Sequence, residues 1–234
     1  MEQRIKSAYI KDLFSKSSDI VVRPIKINQN GIIVHLFAVD GLINDDLFDQ
    51  TVLTTLKFDP YLAECKTERQ LMDYLLMGGA YHVFTSEETD YNKLIKSVLS
   101  GMVALIFDLE EKAVVYDIRK FEKRSIQEPT EENVMKGSKE SFVETMRVNT
   151  ALIRRKIRSE KLVVEKLTAG KLSKTDMSLI YISEVANPDT VNKIRDIINS
   201  IDIDNIPTPA FIEEFLIENN HSIFPQVMYT QRPD

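Results

Sequence analysis

From Glu122 to Lys139 the apolar periodicity that organises the rest of this chain stops, and Pro129, Gly137 and a run of charges replace it. A stretch with no face to bury reads as a connection, so it divides the 234 residues into two parts. The expected architecture is α/β: two small α/β subdomains with mixed sheets and β-hairpins, joined by a linker. The parts are 1–122, with a leading amphipathic helix, the linker at 123–139, and a C-terminal subdomain at 140–234. A chain of this size can bury roughly 70% of its unfolded surface. With 43% apolar and 28% charged residues, it has the composition of a packed protein.

Within the first part, Ile5, Tyr9, Leu13 and Phe14 recur at helical spacing over residues 3 to 16. Val21 to Ile27 and Ile32 to Val39 are β-branched runs around Asn28-Gln29-Asn30-Gly31, a turn signal because Asn and Gly tolerate positive φ, and they predict a hairpin. Asn44-Asp45-Asp46 offers capping oxygens to a helix carrying Leu47, Phe48, Val52, Leu53 and Leu56. A helix near Glu68 to Met77, a strand at Ala80 to Thr85 and a helix at Asp90 to Leu99 follow. A second hairpin, Met102 to Leu109 with Ala113 to Ile118, closes the part.

The second part begins with a helix near Ser138, then pairs Leu162 to Leu167 with Met177 to Ile182. Asn187-Pro188-Asp189 and Thr208-Pro209 each place a capping oxygen before a proline suited to the first helical position. At an offset of 143 residues Val21 aligns with Val164, Arg23 with Lys166, Leu36 with Leu179, Asn44 with Asn187 and Asp46 with Asp189. This suggests two related hairpin-strand-helix units.

Composition excludes some classes of function. The net charge of −6 opposes a generic nucleic-acid binder, which needs concentrated Lys and Arg, and no nucleic-acid partner is expected. That charge is uneven: twelve Lys or Arg against seven Asp or Glu between Arg119 and Lys161 leave −11 on the rest. The single Cys65 cannot form an internal disulfide, as suits a reducing compartment. No apolar run approaches the length of about 18 residues that spans a bilayer, and Met1-Glu2-Gln3-Arg4 does not open a signal peptide.

Signals for chemistry are sparse. His35, His82 and His221 lie far apart, without neighbours at metal-ligand spacing, so neither metal nor cofactor is expected. Met77-Gly78-Gly79-Ala80 lacks the spacing of a phosphate-binding loop and reads as a helix C-cap. No serine sits in a nucleophile elbow, and nothing in the sequence activates Cys65. The chain is therefore expected not to be an enzyme. The alternative outside any binding role is an α/β hydrolase or nuclease-like enzyme without a visible motif.

The segment from Arg119 to Arg158 is the most informative. Its helix carries Phe142, Met146, Ile153 and Ile157 on one stripe with Asn149, whose amide needs an identifiable partner if buried. That partner is either a structural hydrogen bond or a ligand contact. Arg147, Arg154 and Arg158 share another face. They either complement the helix dipole in solvent or meet an anionic surface or partner.

Ser125-Ile126-Gln127-Glu128-Pro129-Thr130-Glu131, Val134-Met135-Lys136-Gly137, Phe142, Glu144 and Asn149 through Ile157 together resemble the signature of bacterial spore germinant receptor A subunits. Val185-Ala186-Asn187-Pro188, Ile223-Phe224-Pro225-Gln226-Val227, Tyr229 and Arg232-Pro233-Asp234 extend the resemblance. Where the family usually has Arg-Gly-Pro and later Gly-Phe, this chain has Lys136-Gly137-Ser138 and Ser141-Phe142. The loop thus lacks the proline and glycine that would shape the family's turn.

The resemblance implies the soluble N-terminal domain of a spore inner-membrane receptor, on the spore-core side, acting in nutrient-triggered germination. Its partners would be the other receptor subunits and the membrane, through a C-terminal membrane region beyond Asp234. The chain's role is expected to be receptor assembly and signal coupling. The alternative within the family is direct binding of a small nutrient, such as an amino acid or sugar, between the subdomains. Ligand-binding or coupling candidates are Glu128, Gly137, Glu144, Asn149 and Arg155; candidates for a partner or lipid surface are Arg147, Arg154 and Arg158.

Overall fold

The computed structural model describes residues 4–27, 30–80, 84–120, 140–206, 209–217 and 224–233. They cluster into two compact units. The first holds residues up to 120 together with Arg154–Glu160, and the second holds residues 140–153 and those from Lys161 onward. The segment Arg154–Glu160 thus groups with the first unit although it lies late in the sequence.

The first unit opens with α1 (Ser7–Leu13), shorter than the sequence pattern. Ile10 and Phe14, four residues apart, are buried with Ile5, whereas Tyr9 and Leu13, expected on the same stripe, are exposed. Strands β1 (Ile20–Lys26) and β2 (Ile33–Val39) form the predicted antiparallel hairpin. Gly31 takes φ +76, and the Asn30 side chain accepts from Ile32 N at 2.9 Å while donating to the Leu62 carbonyl. Both turn residues therefore do what their chemistry favours.

Three further strands complete this sheet: β3 (Thr85–Glu88), β4 (Val103–Phe107) and β5 (Lys112–Tyr116), in the order β1-β2-β4-β5-β3. Every ladder in this sheet is antiparallel rather than mixed, and hairpins join β1 to β2 and β4 to β5. All of β4 is buried. Its Val103, Leu105 and Phe107 join a core with Val34, Val52, Leu56, Leu71 and Leu75, while α5 (Tyr91–Leu99) packs against β2 and β4 with Leu94, Ile95 and Val98 buried. Pro24 sits on the edge strand β1, where a missing N–H costs no ladder bond.

The strand expected at Ala80 to Thr85 is instead β3, a few residues later. An edge strand reading Thr-Ser-Glu-Glu, mostly solvated, shows no apolar alternation to find. Before it, α2 (Asp45–Phe48), a π-helical turn at Asp49–Leu53 and α3 (Thr54–Phe58) form the helix capped by Asn44, whose Oδ1 accepts from Leu47 N at 3.1 Å. Next, α4 (Glu68–Tyr74) continues into a second π-helical turn at Leu75–Gly79. Gly78 ends it at φ +96, and a Cβ on Gly79 would lie 2.3 Å from the Tyr74 ring. One glycine supplies backbone freedom and the other room.

In the second unit, β6 (Leu162–Ala169) and β7 (Thr175–Ile182) form a two-stranded antiparallel hairpin. Gly170 (φ +86) turns the chain, and the tip is held by Lys171 N to the Ile203 carbonyl at 2.7 Å and Ser173 N to the Asp204 carbonyl at 2.9 Å. Against it packs α7 (Pro188–Ser200), capped by Asn187 Oδ1 accepting from Asp189 N at 2.8 Å, with α8 (Pro209–Leu216) beside α7. Leu167, Ala169, Ile198, Ile201 and Ile212 make the core. Arg195 ties α7 to β6 by donating through Nε and Nη2 to the Glu165 carboxylate at 2.5 and 2.9 Å.

Both units thus contain a hairpin followed by an Asn-capped helix. Their pairing differs by one residue: Arg23 faces Leu36, but Leu179 faces Glu165 rather than Lys166. A one-residue shift exchanges the faces of a strand, so the 143-residue offset does not carry one ladder onto the other.

Candidate functional site

The basic helix α6 spans Met146–Lys156, starting eight residues after Ser138. The backbone before it has other partners. Phe142 N donates to the Gln231 carbonyl at 2.7 Å, and Val143 is gripped at both groups by Asn149. Asn149 Oδ1 accepts from Val143 N at 2.8 Å, and its Nδ2 donates to the Val143 carbonyl at 2.6 Å. The amide thus fixes the entry to the helix. Its carbonyl and amino groups are both engaged there.

At the other end the structure corrects an expectation. Arg154, read from the sequence as part of a surface face, is 0% exposed. Its Nε and Nη2 donate to Asp19 Oδ2 and Oδ1 at 2.8 and 3.0 Å, and Nη1 donates to the Ser159 carbonyl at 3.0 Å. A bare guanidinium could not be buried at tolerable cost, and the bidentate carboxylate makes it possible. Asp19 escaped sequence reading altogether, because a partner 135 residues away leaves no local pattern.

The other candidates are more dispersed. Arg158 is exposed, and its Nε donates to the Arg155 carbonyl at 3.2 Å, a cation closing a helix C-terminus. Glu144, Arg147 and Arg155 are exposed. Glu144 precedes the helix and Arg155 sits at its end, and nine residues from Met146 to Arg155 rise about 14 Å. Glu128 and Gly137 lie outside the described residues, as do His82 and His221.

A second polar cluster lies at the β4–β5 turn. Asp108 accepts from Ser7 N at 2.7 Å and Ser7 Oγ at 2.6 Å, and His35 Nδ1 lies 3.1 Å from Asp108 Oδ2 without the alignment of a hydrogen bond. A nucleophilic triad needs the imidazole between hydroxyl and carboxylate, whereas here the carboxylate takes the hydroxyl directly. Glu111 pairs with Arg4 and Lys6, and the buried Glu68 carboxylate accepts from Leu109 N at 2.9 Å. Burial raises the Glu68 pKa, with Asp108 and Glu110 adding to the shift and the turn amides opposing it. These contacts fasten α1 and α4 to the turn.

Elsewhere, burial pushes the Cys65 thiol up, the reverse of an activated thiolate. Among the described residues no group of three His, Cys, Asp or Glu is placed to hold a metal, and no helix is long and apolar enough to cross a membrane.

The family described as Bacillus/Clostridium GerA spore germination protein matches residues 8–234. The chain belongs to the GerA family. Within it, the chain is 43% identical over 161 residues to stage V sporulation protein AF of Bacillus subtilis (strain 168), covering 68% of this chain and 32% of that one. It is 28% identical to spore germination protein A1 of the same organism, over 100% of this chain and 48% of that one. A solved structure, the N-terminal domain of the A subunit of the Bacillus megaterium spore germinant receptor GerK3, superposes with a TM-score of 0.69 at 25% identity. The match covers 100% of this chain and 87% of that one. The chain therefore spans from about a third to a half of the length of these curated GerA relatives, and corresponds to the N-terminal domain of an A subunit.

Proposed function

We propose that this domain is the assembly and coupling element of a germinant receptor A subunit. In that role it acts on the core side of the spore inner membrane, meeting the other receptor subunits in nutrient-triggered germination. The observation that carries the reading is how α6 spends its polar groups. Asn149 and Arg154 pin its two ends, and Arg158 closes its C-terminus, while Arg147 and Arg155 stay exposed. A helix held this way is suited to transmit force and to present cations to a partner. Of the groups nominated for a nutrient, Asn149 is engaged by the Val143 backbone, and Glu144 and Arg155 lie toward opposite ends of α6.

Thermal unfolding of the 234-residue chain across a panel of amino acids, sugars and nucleosides tests this. A bound nutrient at a hundred times its dissociation constant adds about 2.7 kcal/mol. The coupling reading predicts no shift with any of them, and a saturable shift with one would transfer the sensing role to this domain.

The identity pattern favours a second reading of the whole protein. Identity is 43% to a stage V sporulation protein against 28% to spore germination protein A1. On that reading the full-length protein serves the stage V system, and its deletion alters spore formation while leaving nutrient-triggered germination intact. The reverse phenotype excludes it.

A further inference from the structure

Asp19 and Arg154 form a buried ion pair whose geometry is more constrained than packing alone requires. Both carboxylate oxygens are taken by the guanidinium, and its remaining nitrogen holds the Ser159 carbonyl, closing the segment after α6 upon itself. Asp19 is fixed in turn. Its carbonyl accepts from Asp40 N at 2.8 Å, beside the Ile20–Val39 pair that ends the β1–β2 ladder.

An ion pair of this kind adds little net stability over apolar residues of similar volume, because desolvation offsets the attraction. What it provides is register. Two parallel N–H···O bonds define one seat, and any slippage strands two charges away from water. Leucine against methionine would tolerate a slide. The pair also sits at a particular place in the chain. Helix α6 runs without a break from Met146 to Lys156, yet its residues through Ile153 group with the second unit and Arg154–Glu160 with the first.

We propose that the Asp19–Arg154 pair is a register latch, fixing the seat of the last turn of α6 in the first unit. Signal coupling acts through that seat. Arg154 is then a positioning residue and not a contact for partners. The inference rests on the coupling role proposed above.

The 234-residue chain is compared with the double variant Asp19→Leu/Arg154→Met, which keeps apolar volume and removes both charges. Hydrogen exchange read by mass spectrometry follows α6 separately from β4 and β5. The latch predicts a Tm within roughly 5 °C of the parent. It also predicts unchanged protection in β4 and β5, and exchange in α6 faster by about tenfold or more. If the double variant does not fold, Arg154→Lys decides, since it keeps the charge and loses the bidentate geometry. Parental protection of α6 in a folded variant overturns the latch and leaves the coupling role standing, because that role is tested separately at Arg147 and Arg155.

Discussion

Arg154 shows how one side chain can reverse its apparent role once its surroundings are known. Replacing it with alanine leaves the Asp19 carboxylate buried and unpaired, a change that costs about 3–5 kcal/mol. The Arg154→Ala chain should accordingly unfold at a much lower urea concentration, whereas Arg155→Ala should unfold with the parent. Asn149→Ala removes both bonds to Val143 and should cost about 1–3 kcal/mol by the same assay. Tyr74 provides a spectroscopic check: its phenol donates to Asp59, and this bond with burial pushes its pKa to about 12. In Asp59→Asn an ultraviolet titration should show one tyrosine ionising at lower pH than in the parent. Of these residues only Asn149 was marked by the sequence as needing a partner. Asp19 and Tyr74 gained theirs from parts of the chain 135 and 15 residues away.

At the scale of elements, what could be read in advance was local chemistry. Asn44 and Asn187 cap helices through amides three and two residues ahead, and Asn30-Gly31 turns a hairpin, so the signal and its consequence share one short segment. The start of α6 was misplaced because Asn149 and Gln231 divert the backbone at Phe142 and Val143, and β3 was missed because a solvated edge strand has no apolar pattern. The β4–β5 turn yields a pH prediction. A carboxyl whose pKa is raised in the folded state binds its proton more tightly there, so its contribution is complete below the unfolded value of about 4.3 and is lost as pH rises through the folded value. Glu68 is such a group. Stability measured from pH 4 to 7 should therefore decline less, or rise more, in Glu68→Gln than in the parent; parallel curves would contradict the assignment.

For the whole molecule, the α/β class was visible in the sequence. The grouping of Arg154–Glu160 with the first unit was not, since it follows from a buried contact and not from composition. Membership of the GerA family places the chain among spore germination proteins, and the coupling role turns on whether α6 meets a partner through its exposed cations. The direct measurement uses the full-length subunit carrying Arg147→Glu with Arg155→Glu, expressed in spores. Receptor subunits in the inner-membrane fraction are then quantified, with the Tm of the isolated variant domain as a control for folding. The account predicts a parental Tm, sharply reduced co-purification of the other subunits and slowed nutrient germination. Parental receptor levels with normal germination would contradict it.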